Sequence, residues 1–580
     1  MPLSRSLPRR RFIALLVAAP AAIVACGPQT PAAPAAPPPT SGQAAAPSKP
    51  ADAKPAEAPK PVATMAPAQQ TGAQPASSQP AAAQPTAQQA PAQKPVAGPA
   101  PAGQLVVAQG IDPDTLDPQV TASSAVWSIT LNVYDTLVTR DKQGQLQPGL
   151  AQSWRPLDDK TWEVKLREGV QFHNGEPLDG EAVKYSIERI LDPALKAVMT
   201  STINTIDGVT VVDPLTVRIG TKEPDPLLPS RLSQQYGHVL PPKYAREAGP
   251  DGLAKKPIGA GPFKFVSWQK DEAVTLEAVP GHWRQPKVQK VLFKPIPEGA
   301  ARVAAAKTGA VDIAAAIPPV DFASIQSGDR TTGIEVTSNR AFLMNLDTIA
   351  FEPFKDKRVR QALNYAIDVD AIIKNTLNGY GKPLASSVIA ECFGYDASIQ
   401  PYGHDLDKAK ALLAEAGYPN GFEVGLDSTD GRYPQDKEIA TVLVGQLARA
   451  GITVKLQTFE WGSFYDGVQA KKRAPIHDIG MSTELFDPDN TFSTHFHSER
   501  GKIWARWKND EFNALADRGR TTLDENVRRQ SLSQAQRIQH EEAPMLFLQQ
   551  ITYLYGVNKR VSGWEPTNTE PILLWTASVS

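Results

Sequence analysis

The chain has 580 residues, with 60 Lys and Arg against 61 Asp and Glu and a formal net charge of −1. It is too long for one ordinary core, and it lacks the overall basic field that nucleic-acid binding draws on, so no nucleic-acid partner is expected. Its two cysteines, Cys26 and Cys392, exclude a disulfide framework or a four-thiolate zinc site.

Arg5, Arg9, Arg10 and Arg11 precede an apolar run from Phe12 to Ala25, which is short for a membrane span and right for the core of a signal peptide. The run ends in Ile23-Val24-Ala25-Cys26, which resembles a bacterial lipobox, whose cysteine is diacylated and becomes the new N-terminus. Residues 1–26 therefore predict export and a lipid anchor at Cys26; the other reading is a plain cysteine beside a signal-peptidase site. Arg9-Arg10-Arg11-Phe12 fits a twin-arginine route and a general basic start equally. Residues 27–103 hold roughly a third of the 53 prolines and no Leu, Ile, Phe, Trp or Tyr. Such a segment cannot bury enough apolar surface to offset chain entropy, which predicts a disordered or polyproline-like linker. A tether that lets a soluble body find mobile ligands and a plain spacer both fit it.

From Gln104 onward no repeat of 20 to 50 residues is visible, which argues against a solenoid or propeller. Trp162-Glu163-Val164-Lys165-Leu166 and Thr216-Val217-Arg218-Ile219 alternate as half-buried strands do. Gly259-Ala260-Gly261 begins like a dinucleotide fingerprint, but Lys264 replaces the third glycine and the segment reads as a turn. Val359, Ala362, Leu363, Ala366 and Ile367 form one apolar stripe, predicting a helix from Arg358 through Ala371. A second helix is predicted from an Asp405 cap to Gly417, with Ala409, Leu412 and Leu413 on one face. Ile452 to Leu456 then reads as a strand following a helix that ends near Gly451. Strands alternating with helices imply α/β layers with partly parallel sheets.

Standard catalytic motifs are absent. There is no Gly-x-Ser-x-Gly elbow and no His-Glu-x-x-His helix, and Gly381-Lys382 is followed by Pro383 where a Walker loop needs Ser or Thr. Asp487-Pro488-Asp489-Asn490 opens like a calcium loop but lacks the sixth-position glycine and twelfth-position glutamate. His495 and His497 would point the same way from a strand, without a third ligand nearby; a shared metal and a surface pair both remain open. Glu541-Glu542 reads as a solvated helix end before Pro544. No enzyme, cofactor or metal is expected.

Several segments carry a resemblance. They are Thr115-Leu116-Asp117-Pro118, Asn132-Val133-Tyr134-Asp135-Thr136-Leu137, Trp162 to Asn174-Gly175, Gly259-Ala260-Gly261-Pro262-Phe263, Phe354 to Asp368 and Asp405 to Phe422. Together they resemble the bacterial extracellular solute-binding proteins of family 5, over nearly all of Gln104 to Ser580. The resemblance implies an α/β, two-lobed periplasmic-binding-protein-like fold of the large family-5 type, with an extra subdomain in the first lobe. The first lobe would span 104–337 (subdomain about 137–222) and be completed by 551–580; the second would span 345–550, with crossings near 338–344 and 547–553. The implied role is a monomeric, lipid-anchored receptor outside the cytoplasmic membrane. It would capture a short peptide by hinge closure and deliver it to an ABC permease. Other cargoes (a nickel or metal chelate, an opine, an oligosaccharide), a secreted hydrolase, or a chaperone or chemosensory receptor on the same fold are the alternatives.

The resemblance also places a pocket. Peptide binders of the family neutralise the ligand's ammonium with an acid three residues before an acid-proline pair; Asp487-Pro488 sets that register and Glu484 fills it, one methylene longer than the usual Asp. Arg432, beside Tyr433, lies near the arginine that takes the ligand's carboxylate, a task suited to a planar guanidinium. Trp461 matches a tryptophan that packs along the ligand, while Met481 replaces one with a softer wall. Ser123, Ser124, Asn339 and Arg340 are expected to face the cleft from the first lobe and its hinge. A surface-loop acid, a solvent-facing arginine and a core tryptophan are the competing readings for Glu484, Arg432 and Trp461. Cys392 is expected to be a buried thiol.

Overall fold

The computed structural model describes residues 100–580 apart from positions 199, 502, 503 and 505. The export segment 1–26, its Cys26 and all but the last residues of the 27–103 linker lie outside the described residues. Among the described residues no helix is long and apolar enough to cross a membrane.

β1 (Gln104–Gln109) opens a mixed sheet and leads to α1 (Ser124–Val133). A smaller antiparallel sheet follows, built from β2 (Ala151–Asp158), β3 (Thr161–Leu166), then after α2 (Gly180–Leu191) from β4 (Ile206–Asp213) and β5 (Thr216–Thr221), in the order β2-β3-β5-β4. Strand β5 shows why: Val217 and Ile219 are buried while Arg218 between them is exposed, the period-2 alternation of a sheet with one dry face. That face packs with Trp154, Trp162, Val183 and Ile187 into a core of its own.

The large sheet resumes with β6 (Phe263–Gln269), β7 (Ala273–Ala278), β8 (Lys290–Pro295), the short β9 (Ile313–Ala314) and the long β10 (Thr331–Leu346). Beyond it come α3 (Lys357–Ala366), α4 (Val369–Asn375), α5 (Leu406–Glu415), β11 (Glu423–Thr429), α6 (Asp436–Arg449), β12 (Thr453–Phe459), α7 (Trp461–Gln469), β13 (Ile476–Ser482), α8 (Glu525–Glu542) and β14 (Met545–Asn558). Their spatial order is β12-β11-β13-β10-β14-β9-β1-β8-β7-β6. Pairs β1·β8, β1·β9, β11·β12 and β11·β13 are parallel, so the sheet is partly parallel as the alternation of elements implies.

Strands β10 and β14 run antiparallel through the middle of this sheet. Their register shifts between Thr337 and Ala341, so that Ser338, Asn339 and Arg340 stand opposite Ile551 alone. A bulge of this kind bends the strand and re-aims its side chains.

Asp405 caps α5 by accepting the Lys408 N–H at 2.9 Å, and Gly417 follows with φ +91°, as the helix signals require. The stretch 358–371 differs from expectation. It is two helices, because Ile367 is extended and the Asp368 carboxylate accepts the Ala371 N–H at 2.8 Å, starting α4 afresh. His495 and His497 also differ, lying on and just after a π-helical turn (Phe492–Phe496) instead of a strand. His495 packs against Trp504 and His497 Nε2 lies 3.2 Å from Asp517. Cys392 is a buried free thiol, pushed up to about 12 by burial.

Candidate functional site

A cavity of about 620 Å³ is walled by the start of α1, the loop 430–435, the bulge of β10 and the C-terminal segment, and Ser124, Arg340, Arg432, Tyr433 and Glu570 line it. The C-terminal segment has no strand here; two side chains of α1 hold it. Ser128 and Asn132, four residues apart and therefore on one helix face, bind the backbone of Ile572 and Leu574: Asn132 Nδ2 donates to the Ile572 carbonyl at 2.8 Å and its Oδ1 accepts the Leu574 N–H at 2.9 Å. Ser128 Oγ accepts the Ile572 N–H at 3.1 Å. That clamp presents Glu570 to the cavity.

Arg340 is the centre of the polar wall. Its Nη2 donates to Glu570 Oε2 at 3.1 Å, its Nε to the Tyr553 hydroxyl at 3.1 Å and its Nη1 to the Gly480 carbonyl at 3.2 Å. Burial alone would lower the Arg340 guanidinium, but Tyr553 and Glu570 outweigh it and raise it. Burial likewise opposes ionisation of Glu570, yet Arg340 and Arg432 hold its carboxyl below the ordinary value. An arginine and a carboxylate fixed this way are preorganised, which removes part of the ordering cost of binding.

Arg432 stands across from them. Its guanidinium lies 5.0 Å from the Tyr433 ring centroid and 5.2 Å from that of Trp461, and it forms no ion pair among the described residues. Such stacking keeps the planar fork oriented while leaving its N–H donors free. The loop takes this shape because Gly431 adopts φ +85°, a region that favours glycine. Tyr433 is buried against Phe342, and the close approach needs Gly480, where a Cβ would meet the Tyr433 ring at 2.3 Å.

The structure thus brings Ser124, Arg340, Arg432 and Tyr433 onto one cavity. Trp461, the first residue of α7 after its Glu460 cap, backs Arg432 without lining the cavity itself. Ser123 is half-buried just before α1, and Asn339 is buried with its backbone N–H bonded to the Asn568 carbonyl at 2.7 Å. Three residues are elsewhere. Met481 belongs to an apolar core with Phe492, Phe496 and Phe547, because its strand position turns it away from the cavity. Asp487 is buried in an ion pair with Arg528 at 2.5 Å. Glu484 is buried outside the cavity lining, where its Oε2 accepts from Gln235 Nε2 and the Tyr236 hydroxyl, and burial raises its carboxyl.

Glu484 takes part in a contact between the 484–489 loop and the smaller sheet's core, while still feeling the charges of Arg340 and Glu570. Leu485 is 2 % exposed inside that core, Arg140 Nη2 donates to the Leu485 carbonyl at 3.1 Å, and the Arg231 guanidinium binds Asp489 at 2.5 Å and Asp225 at 2.8 Å. Burying one leucine contributes about 1.5–3 kcal/mol. Glu570, Tyr553 and Asn132 were not singled out as site residues: Glu570 sits in a segment without periodicity, and only its position in space marks it.

Residues 145–502 match the family described as bacterial extracellular solute-binding proteins, family 5 Middle. The dipeptide-binding protein of Escherichia coli (strain K12) is 28% identical over 484 residues, 78% of this chain and 90% of that protein. The ABC transporter-associated periplasmic binding protein DppA from Helicobacter pylori, solved with the peptide STSA, is 27% identical with a TM-score of 0.74, covering 82% of this chain and 98% of that one. The binding protein AgaA from A. tumefaciens R10, solved with agropinic acid, is 29% identical with a TM-score of 0.73, covering 82% and 99%.

Proposed function

The chain belongs to family 5 of the bacterial extracellular solute-binding proteins, with their two-lobed α/β fold, and from that membership we propose that it captures a short peptide, grips the peptide's carboxylate with Arg432, and passes it unaltered to an ABC permease. The observation that carries this reading is an arginine on the cavity wall, stacked and oriented by two aromatic rings, that forms no ion pair among the described residues. A guanidinium so placed matches a ligand carboxylate in two parallel hydrogen bonds. Relatives solved or named as dipeptide- and peptide-binding proteins support the cargo class.

We take the lobes as 104–337 with 551–580 and as 345–550, meeting where β10 and β14 run side by side; the bulge at Ser338 to Arg340 supports a hinge there. Closure would exclude water and strengthen each polar contact inside. Anchoring through Cys26 is part of the same proposal, and the intact mass of detergent-extracted protein tests it: a diacylglyceryl adduct on a chain beginning at Cys26 is expected, and an unmodified N-terminus removes the anchor.

A second reading has one observation in its favour. Glu484, the acid that the resemblance gives to the ligand's ammonium, is occupied by Gln235 and Tyr236. A cargo without a free ammonium, such as an opine-type acid, would not need it, and AgaA binds agropinic acid. Calorimetry with a dipeptide panel, each member also tested N-acetylated and C-amidated, separates these. Loss of binding on amidation is expected. Tolerance of acetylation selects the opine-type cargo, and tolerance of amidation removes Arg432 as the carboxylate receptor. Mass spectrometry of the co-purifying ligand, and of any added peptide after hours of incubation, tests whether the cargo leaves unchanged.

A further inference from the structure

The loop that carries Arg432 is held from beneath by an acid. Asp436, in the first turn of α6, accepts the backbone N–H groups of Gly431 at 2.9 Å, Arg432 at 2.9 Å, Tyr433 at 3.0 Å and Lys437 at 2.9 Å. Four N–H donors converging on two oxygens mark an ionised carboxylate, which accepts and does not donate. Asp436 also contacts the Thr429 hydroxyl at 2.8 Å, and the same hydroxyl lies 2.7 Å from Oδ2 of Asp478 on β13.

A hydroxyl has one hydrogen and cannot donate to two carboxylates at once. One of the two acids must therefore donate to Thr429, and Asp436 has no free oxygen to do so. Asp478 does. It is fully buried, its Oδ1 has no hydrogen-bond partner, and a second negative charge there would sit unpaired beside Asp436. Oδ2 also accepts the Thr429 backbone N–H at 2.9 Å, which the remaining lone pair of a carboxylic hydroxyl can keep, and the Ser428 hydroxyl, 3.1 Å from Oδ2, has the Thr429 carbonyl as an alternative acceptor at 3.2 Å.

We propose that Asp478 carries a proton while Arg432 is in its binding position, donating from Oδ2 to Thr429, whose own hydrogen goes to Asp436; Asp478 and Asp436 are thus positioning residues for Arg432. The groups facing Asp478 agree with this. They are Asp436 from α6 and the Tyr433 phenol from the loop, which Arg340 and Arg432 also face; its β10 neighbour in register is Met344, and no cation pairs with Asp478 among the described residues. Burial pushes the Asp478 carboxyl up to about 7, against the hydrogen bonds of Thr429 and with Asp436 adding to the rise. Below that pH the chain of hydrogen bonds is complete. Above it the proton leaves for solvent, two buried carboxylates face one hydroxyl, and the loop is released from its position.

The inference rests on the reading that Arg432 meets the ligand, but its test needs no ligand. Trp461 reports on the Arg432 guanidinium stacked against it, and subtracting the spectrum of Trp461→Phe isolates it from the other nine of the ten tryptophans. Fluorescence of the ligand-free protein is followed from pH 5.5 to 9. His477, in the same region, is held at about 4 by burial and stays neutral throughout. The expected result is a one-proton step with its midpoint near pH 7, absent in Asp478→Asn, whose amide donates to Thr429 at every pH and keeps the low-pH signal. Thr429→Val, which breaks the chain without removing either acid, is expected to lose the step and show an altered signal at low pH. A flat wild-type titration, or a step that persists in Asp478→Asn, overturns the proposal. Failure of the peptide panel with the step intact would instead remove the cargo assignment alone.

Discussion

Arg231→Ala is expected to destabilise the protein by about 3–5 kcal/mol at pH 7, the usual cost of removing one member of a buried ion pair. The side chain is 2 % exposed and serves two acids, Asp225 and Asp489, that are as dry as it is. Removing it leaves Asp225 with no cation within ion-pair distance among the described residues and Asp489 with only Arg520, at 3.8 Å. Burial by itself would push the Asp489 carboxyl up; Arg231 and Arg520 outweigh it and hold it at about 2. A carboxyl depressed in the folded state stabilises the fold above its unfolded value near 4 and loses that contribution as pH falls towards 2. Urea unfolding at pH 7 and again near pH 2.5 therefore reads the effect twice, with a larger wild-type advantage at pH 7. A difference under about 1 kcal/mol at pH 7 would mean that the pair is only a surface contact in energetic terms. Because Asp489 lies on the 484–489 loop and Arg231 on the chain just after the smaller sheet, the variant also loosens the contact made by Leu485 and Glu484.

Arg432→Ala is expected to weaken binding of any carboxylate-bearing ligand found by the peptide panel by about 10- to 150-fold, the equivalent of about 1.5–3 kcal/mol for a charge-assisted hydrogen bond. The fold is expected to tolerate it. Arg432 makes no ion pair among the described residues, and Tyr433 and Trp461 still pack on each other without it, with ring centroids 6.5 Å apart. Arg432→Lys keeps the charge but not the fork, so it should recover only part of the loss. Calorimetry on both variants with unchanged melting temperatures is the measurement; a Kd within about threefold of wild type for Arg432→Ala would show that the cavity's cation is not the ligand's anchor.

Local chemistry explains why much of the architecture could be read in advance. The Val217/Ile219 alternation, the Asp405 cap and Gly417 stop, and the parallel pairing implied by strands separated by helices are all written within a few residues of where they act. Where two local signals competed, the shorter-range one won: the apolar stripe from Val359 to Ile367 suggested one long helix, but the Asp368 side chain captured the Ala371 N–H and restarted the chain. Arg340, Arg432, Tyr433 and Ser124 were named from the family resemblance, and all four line one cavity. Met481 and Asp487 were named from the same register and lie in an apolar core and an ion pair, because register says which residues are neighbours along a strand and not which face of it a ligand meets.

What the sequence determined by itself is the family, the α/β alternation and the presence of an arginine beside an aromatic loop, since each depends on contiguous residues. Tertiary structure alone decided that Glu570 would partner Arg340 across 230 positions, that Glu484 would be taken by Gln235 and Tyr236, and that one threonine would stand between Asp436 and Asp478. Those pairings arise when distant segments are packed into a space with too little water to solvate a lone charge, so each polar group must find its partner in whatever the fold carries past it. No contiguous stretch of the chain shows that encounter; only the sequence acting as a whole, through the fold, brings it about.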